Sequence, residues 1–93
     1  MEKPVSAVHV KISGRVQGVG FRYSTLRQAE RYGISGWVRN AFDGDVEVFC
    51  EGDRDKVSAF LKWLEMGPRG AYVSNVVSRK CPARGYSRFS IEY

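Results

Sequence analysis

Apolar and polar residues alternate along five segments of the chain, which is the pattern of half-buried β-strands. In the first segment, Val8, Val10 and Ile12 alternate with polar residues. The second and third segments flank Asp43-Gly44, a dipeptide typical of a hairpin turn. The pattern therefore predicts strands within 8–12, 34–42, 46–50, 72–80 and 89–91.

Two further segments repeat their apolar residues with the period of an α-helix. The first covers 21–32 and is followed by Gly33, a residue at which helices commonly end. The second begins after Asp53, a favoured N-cap residue, and ends at Gly67-Pro68. The side chains expected to face the core are Phe21, Thr25, Ala29 and Tyr32 in the first helix, and Val57, Phe60, Leu61 and Leu64 in the second.

The order of these segments, β-α-β-β-α-β with a short fifth strand at the end, predicts the α+β class. Such an order forms one mainly antiparallel sheet with both helices on one face. A chain of 93 residues supports one hydrophobic core, and no linker, repeat or low-complexity segment divides it. We therefore expect residues 1–93 to form a single domain.

Composition and cysteine content indicate a cytoplasmic protein. The chain is 43% hydrophobic, as folded domains are, but it has no run near the ~20 apolar residues that span a bilayer and no signal peptide. Cys50 and Cys81 are too few for a disulfide scaffold, and neither has a Cys or His at metal-ligand spacing. We expect a monomer without a metal, with both thiols buried or half-buried.

The net charge of +5 indicates an anionic partner. Two long segments, 4–29 and 66–91, contain basic residues and no acid, whereas most acids lie within 43–55. Nucleic acid, an anionic membrane and a small anionic substrate are all attracted by such a field. Charge by itself therefore leaves all three partners open.

The segment "GRVQGVGFR" at 14–22 combines three glycines and two arginines with no acid. Because it follows a strand and begins a helix, its backbone N–H groups and the unpaired helix amides can converge on a phosphate-like dianion. It lacks the Gly-Lys-Ser/Thr of a Walker A loop and the third glycine of a dinucleotide fingerprint. Glycines that only form a turn would also fit this position, but Arg22 at the mouth favours an anion site.

This segment and a second one resemble the two signatures of the acylphosphatases, small enzymes that hydrolyse the mixed anhydride of a carboxylic acid and phosphate. The matching motifs are "IxGRVQGVGFR" at 12–22 and "GWVRNxxDGxVExxxxG" at 36–52. With "GPxxAxV" at 67–73, the resemblance extends over essentially the whole chain. It implies a ferredoxin-like α/β sandwich, no cofactor, and a small acyl phosphate as substrate, with inorganic phosphate or sulfate as competitive ligands.

The resemblance also implies the roles of the site residues: Arg22 would bind the phosphate and Asn40 would orient the attacking water. A guanidinium suits the first role because it offers two parallel donors. Asn40 has the strand parity of Ile34 and Val38, and its neutral amide can hold water without repelling a dianion. The backbone amides expected to bind the phosphate are those of Arg15, Val16, Gln17, Gly18, Val19, Gly20 and Phe21.

The main alternative is an anion-binding or RNA-binding domain without catalysis, because RNA-recognition domains share this order of elements. Their third strand is rich in aromatic residues, whereas "DGDVEVFCE" at 43–51 has one aromatic residue and four acids. We therefore expect no nucleic-acid or membrane partner. A module fused to a carbamoyl-transfer enzyme is a third alternative, and the end of a complete fold at Tyr93 favours a free enzyme.

Other conspicuous residues are expected to be structural. His9 has no acid or serine partner evident in the sequence, so a surface role is expected. The acids within 43–55 are expected to be solvated. Trp37 and Phe49 are expected on the open face of the sheet with partial packing. The segment "CPARGY" at 81–86 matches no part of the family pattern and is expected to form a loop on the far side of the molecule.

Overall fold

The computed structural model describes residues 4–93. Its elements follow the predicted order and are β1 (Val5–Arg15), α1 (Phe21–Tyr32), β2 (Ser35–Asn40), β3 (Val46–Asp53), α2 (Arg54–Met66), β4 (Tyr72–Lys80) and β5 (Phe89–Ile91). The strands form one sheet in the order β4-β1-β3-β2-β5. The predicted α+β, ferredoxin-like class is confirmed. The sheet is mixed, since β5 pairs in parallel with β2 while the other pairs are antiparallel.

The hydrophobic core lies between the two helices and one face of the sheet. Alternate residues of the central strands, such as Val10 in β1 and Val48 in β3, are fully buried there. The helical periodicity of the sequence is confirmed, because the predicted stripe of each helix faces this layer. The buried helical residues are Phe21, Thr25 and Ala29 in α1, and Val57, Phe60 and Leu64 in α2.

The second strand is shorter than the sequence pattern predicts. It ends at Asn40 because the N–H of Ala41 donates to the carbonyl oxygen of Asp45 at 2.7 Å and closes a turn. This turn, residues 41–45, joins β2 to β3 and contains the predicted Asp43-Gly44 pair. The alternating sequence pattern therefore extends to residue 42, two residues beyond the end of β2 in the structure.

A segment of residues 81–88, called the strap below, connects the two edges of the sheet. Because β4 and β5 lie at opposite edges, the chain between them has to cross the sheet. The N–H of Cys81 donates to Ala7 at 3.0 Å. The N–H groups of Arg84 and Tyr86 then donate to the carboxylate of Glu51 at 2.8 and 2.6 Å. These two hydrogen bonds hold the middle of the strap against β3.

The strap corrects two predictions about the outer face of the sheet. Phe49 is fully buried, because the Tyr86 ring lies 5.5 Å away and the Arg84 guanidinium 4.9 Å from the ring centre. Trp37 stacks beside Phe49 and is 8% exposed, so the outer face is covered at these two residues and not open there. Glu51 is 5% exposed, which makes the prediction of a solvated acid wrong at that position.

Candidate active site

The glycine-rich segment is the connection between the end of β1 and the start of α1. Gly18 and Gly20 both adopt a φ of +75°, a backbone conformation that other residues rarely adopt. Gly20 is the N-cap of α1 and has no side chain that could cap the helix. The first helical hydrogen bond runs from the N–H of Ser24 to Gly20 at 3.0 Å, so the first amides of α1 precede the helical ladder. The positive end of the helix dipole therefore lies at this loop.

A pocket of about 260 Å³ opens between this loop and the ends of β2 and β5. It brings together Arg22, from the first turn of α1, and Asn40, the last residue of β2. Asn40 is half-buried and pairs with Val46 across the sheet. The residues that line the pocket are Val16, Gly18, Gly20, Phe21, Arg22, Tyr23, Asn40, Ile91 and Tyr93.

The predicted loop residues divide into two groups. Val16, Gly18, Gly20 and Phe21 line the pocket together with the two predicted catalytic residues. Three others, Arg15, Gln17 and Val19, are not among the lining residues. Arg15 is the last residue of β1 and pairs with Tyr72, and Val19 packs against the hydrophobic core. The side chain of Gln17 contacts the turn of residues 41–45 instead.

Sequence reasoning missed the contribution of the C-terminal residues. The N–H of Glu92 donates to the carbonyl oxygen of Val38 at 2.8 Å, which extends the parallel pairing of β5 with β2. Tyr93 is thereby brought to the pocket, where its ring lies 5.0 Å from the Cζ atom of Arg22. The alternation of Phe89, Ile91 and Tyr93 was the available signal, but it does not show which strand β5 pairs with.

Arg22 is the charged side chain among the residues that line the pocket. The nearby acids of the 41–45 turn are tied to β1. Lys11 contacts Asp43 at 2.7 Å and Asp45 at 3.6 Å. The hydrogen bond from Lys11 holds the pKa of Asp43 below its ordinary value, and the same bond raises the pKa of Lys11. Both acids are therefore paired with a cation outside the pocket.

The described part of the chain shows no cluster of metal ligands. Within residues 4–93, no three His, Cys, Asp or Glu side chains lie close enough together to hold a metal ion. His9, the single histidine, contacts Glu47 at 3.0 Å on the outer face of the sheet. No helix in the same part of the chain is both long and apolar enough to cross a membrane.

Comparisons with known proteins agree with this fold. A model of the acylphosphatase family matches residues 8–91. An acylphosphatase from Pseudomonas paraeruginosa is 50% identical over 84 residues, which are 90% of this chain and 92% of the relative. The structure of an acylphosphatase from Coxiella burnetii superposes with a TM-score of 0.91 at 41% identity, covering 95% of this chain and 93% of the other.

A similar domain also occurs inside a longer protein. Full-length HypF, solved in a phosphate- and nucleotide-bound form, matches this chain with a TM-score of 0.93 at 26% identity. The match covers all of this chain (100%) but only 12% of HypF. The fold is therefore found both in small enzymes and as one part of a larger chain.

Taken with the fold, these similarities define a hydrolase that acts on acid anhydrides. The chain belongs to the acylphosphatase family. Its activity is the hydrolysis of the carboxyl–phosphate bond of acyl phosphates to a carboxylate and inorganic phosphate. The family, fold class and activity expected from the sequence motifs are confirmed, and the protein is an enzyme and not solely a binding module.

Proposed function

We propose that this activity resides in the pocket between the glycine-rich loop and Asn40. The observation that carries the proposal is that the pocket brings the Arg22 guanidinium, the loop glycines and the Asn40 amide to one cavity from separate elements. The Arg22 side chain and the backbone N–H groups of the loop residues that line the pocket, Val16, Gly18, Gly20 and Phe21, bind the phosphoryl group. Asn40 holds the attacking water.

Each group supplies what the reaction needs. The oxygens of the transferring phosphoryl group are stabilised by donors that are already oriented, namely the bidentate guanidinium and the amides at the N-terminus of α1. The water has to be in line with the departing oxygen, and Asn40 holds it by a neutral amide that does not repel the dianion. The two tasks thus belong to different residues.

The bond changes need no metal and no general acid. Water attacks phosphorus as the bond from phosphorus to the acyl oxygen breaks, and the electron pair of that bond leaves on the carboxylate. Both protons of the water remain on the phosphate product, so an acyl phosphate dianion and water become a carboxylate monoanion and a dihydrogen phosphate monoanion. A carboxylate is a weak base and leaves without being protonated, which agrees with a pocket lined by Arg22 and no acid.

We further propose how the enzyme works in the cell. Residues 1–93 act as a single monomeric domain in the cytoplasm, with a small acyl phosphate as substrate and inorganic phosphate or sulfate as competitive ligands. The coverage of small relatives supports the single domain, since the match extends over 92% of one relative's length. Two free thiols, Cys50 and Cys81, support a reducing compartment. The pocket of about 260 Å³ supports a small substrate, and we propose neither a nucleic acid nor a membrane as a partner.

The experiment is a kinetic comparison of Arg22 and Asn40 variants with benzoyl phosphate, in the presence of a chelator. Arg22→Ala should weaken inhibition by inorganic phosphate and also lower kcat, since the guanidinium contacts the phosphoryl group before and during the reaction. Arg22→Lys should restore little, because an ammonium lacks the bidentate fork. Asn40→Ala should lower kcat by roughly 10²-fold, the scale for one oriented polar group, while phosphate still binds.

Two outcomes would contradict the proposal. If Asn40→Ala hydrolysed benzoyl phosphate at the wild-type rate, Asn40 would not hold the water. If EDTA abolished the wild-type activity and a divalent ion restored it, the metal-free mechanism would be wrong.

A further inference from the structure

The side chain of Gln17 joins the phosphate loop to the turn that follows Asn40. Its Nε2 atom donates two hydrogen bonds, to the carbonyl oxygen of Ala41 at 2.9 Å and to that of Asp45 at 2.8 Å. A primary amide has two N–H donors on this nitrogen, so both are used. Ala41 is the residue directly after Asn40, so the first bond reaches the backbone next to the site.

Two other residues contact the same turn, and both belong to β1. The hydroxyl of Ser13 donates to Asp45 at 3.0 Å, and Lys11 contacts Asp43 at 2.7 Å. Both residues lie before the loop begins, whereas Gln17 lies within it. The Ser13 and Lys11 contacts therefore fix the turn to the sheet, and the Gln17 contacts fix it to the loop.

This connection matters because the reaction depends on a distance between two elements. The proposed phosphate ligands lie on the loop and the start of α1, and the proposed water ligand lies at the end of β2. In-line attack is sensitive to a misplacement of about 1 Å between nucleophile and phosphorus. Gln17 and Ala41 are 24 residues apart in the chain, so the connecting backbone does not fix this distance and tertiary contacts have to set it.

We propose that Gln17 is a positioning residue that sets the distance between the bound phosphoryl group and the water held by Asn40. It acts through the backbone of the 41–45 turn and does not line the pocket itself. A glutamine suits this role because the two acceptors are neutral carbonyl oxygens. A glutamate would place a carboxylate against them, and a methionine of similar length would have no donor. The inference rests on the proposed roles of Arg22 and Asn40.

The test compares Gln17→Met with Ser13→Ala, which removes a hydrogen bond to the same turn from β1 and serves as the matched control. Hydrolysis of benzoyl phosphate and competitive inhibition by inorganic phosphate are measured for both, after far-UV circular dichroism has shown that they are folded. Gln17→Met should lower kcat by about tenfold or more. Its inhibition constant for phosphate should stay within about twofold, since the guanidinium and loop amides remain. Ser13→Ala should keep kcat within about twofold of wild type, because the contact that it removes joins the turn to β1 and not to the loop.

A double variant separates positioning from general loosening of the fold. If Gln17 acts through the water held by Asn40, adding Gln17→Met to Asn40→Ala should cost less than threefold in kcat, a clear departure from additivity. Unchanged kcat in Gln17→Met, a phosphate inhibition constant that rises with the loss of kcat, or losses that multiply in the double variant would each overturn the positioning role. Normal turnover by Asn40→Ala alone would instead overturn the proposed function beneath it.

The variant Gln17→Glu provides a second readout in case Gln17→Met is poorly folded. Its carboxylate faces the carbonyl oxygens of Ala41 and Asp45, so kcat should fall at neutral pH. Protonation of the carboxyl group restores one O–H donor, and kcat relative to wild type should therefore rise as pH decreases toward 4. A ratio of kcat values that does not change with pH would overturn the role of the donors.

Discussion

The guanidinium of Arg22 lies over the ring of Tyr93, with the Cζ atom 5.0 Å from the ring centre. An aromatic ring packs against the flat face of a guanidinium. The N–H donors point outward from the edge of the guanidinium and stay free for a phosphate. Tyr93 reaches this position because β5 pairs in parallel with β2 and ends at the pocket. Because the ring lies beside the residue that binds the phosphate in the proposed mechanism, we expect it to help orient the Arg22 guanidinium.

Removal of this ring should weaken phosphate binding. A cation–π contact at an exposed site contributes about 0.5–1 kcal/mol, so Tyr93→Ala should raise the inhibition constant for inorganic phosphate by about two- to fivefold. Tyr93→Phe is the matched control and should behave like wild type, since the ring remains. Equal inhibition constants for all three proteins would show that the ring does not orient Arg22.

Inorganic phosphate should stabilise the folded enzyme in proportion to its occupancy of the pocket. At ten times its dissociation constant, phosphate should add about 1.4 kcal/mol to the free energy of unfolding. For a domain of this size, that corresponds to a rise in Tm of roughly 5–10 °C, measured by circular dichroism. Sodium chloride at the same ionic strength is the control. Arg22→Ala should lose most of the shift, and an equal shift in that variant would place the bound phosphate elsewhere.

The carboxylate of Glu51 should contribute strongly to stability, since it accepts the N–H groups of Arg84 and Tyr86 while it is itself buried. Glu51→Ala leaves both N–H groups without this acceptor and should lower the free energy of unfolding by about 2–4 kcal/mol in urea denaturation. Glu51→Gln keeps one acceptor oxygen and should lose less.

Glu47→Ala is a suitable comparison for Glu51→Ala. Glu47 lies on the same strand and the same face, but its partners His9 and Arg39 are surface residues at 3.0 and 3.4 Å. Removal of such a surface contact should cost less than about 1 kcal/mol. If the two alanine variants were equally stable, the strap would not depend on Glu51.

The thiol of Cys50 should be unreactive in the folded protein. Burial disfavours the thiolate and raises the pKa of Cys50 to about 12. In a Cys81→Ser variant, Ellman's reagent at pH 8 should therefore label Cys50 only as fast as the protein unfolds, and fully in urea. Rapid labelling of the native variant would contradict this protection.

The same pKa makes stability depend on alkaline pH. The thiol of the unfolded chain ionises near its ordinary pKa of about 8.5, whereas the folded one stays protonated until about 12. The unfolded state thus binds fewer protons in this interval, so the free energy of unfolding should decrease as pH rises above about 8.5. A Cys50→Ala variant, measured by urea denaturation at pH 8 and pH 10, should show a smaller decrease between the two pH values than wild type.

Local patterns predicted the elements that build the site. The 3.6-residue period of α1 and α2 and the alternation in β1 and β3 depend on residues that are neighbours in the chain. The structure has all four elements at these places, although β1 and β3 extend beyond the predicted segments. Arg22 and Asn40 were named from the resemblance of two long motifs to the acylphosphatase signatures, and their roles stay predictions. The end of β2 was misjudged, since a closing hydrogen bond between Ala41 and Asp45 has no signature in the alternation.

The sequence by itself determined the α+β class, the family, and the residue types available for phosphate chemistry, because motif and period are properties of consecutive residues. Only the tertiary structure decided what those residues contact. The strand order places β4 and β5 at opposite edges, which forces the strap across the outer face and buries Glu51. Parallel pairing of β5 with β2 brings Tyr93 to Arg22, and the approach of the loop to the 41–45 turn brings Gln17 to Ala41. These contacts join residues far apart in the chain, and local periodicity carries no information about which distant segments meet.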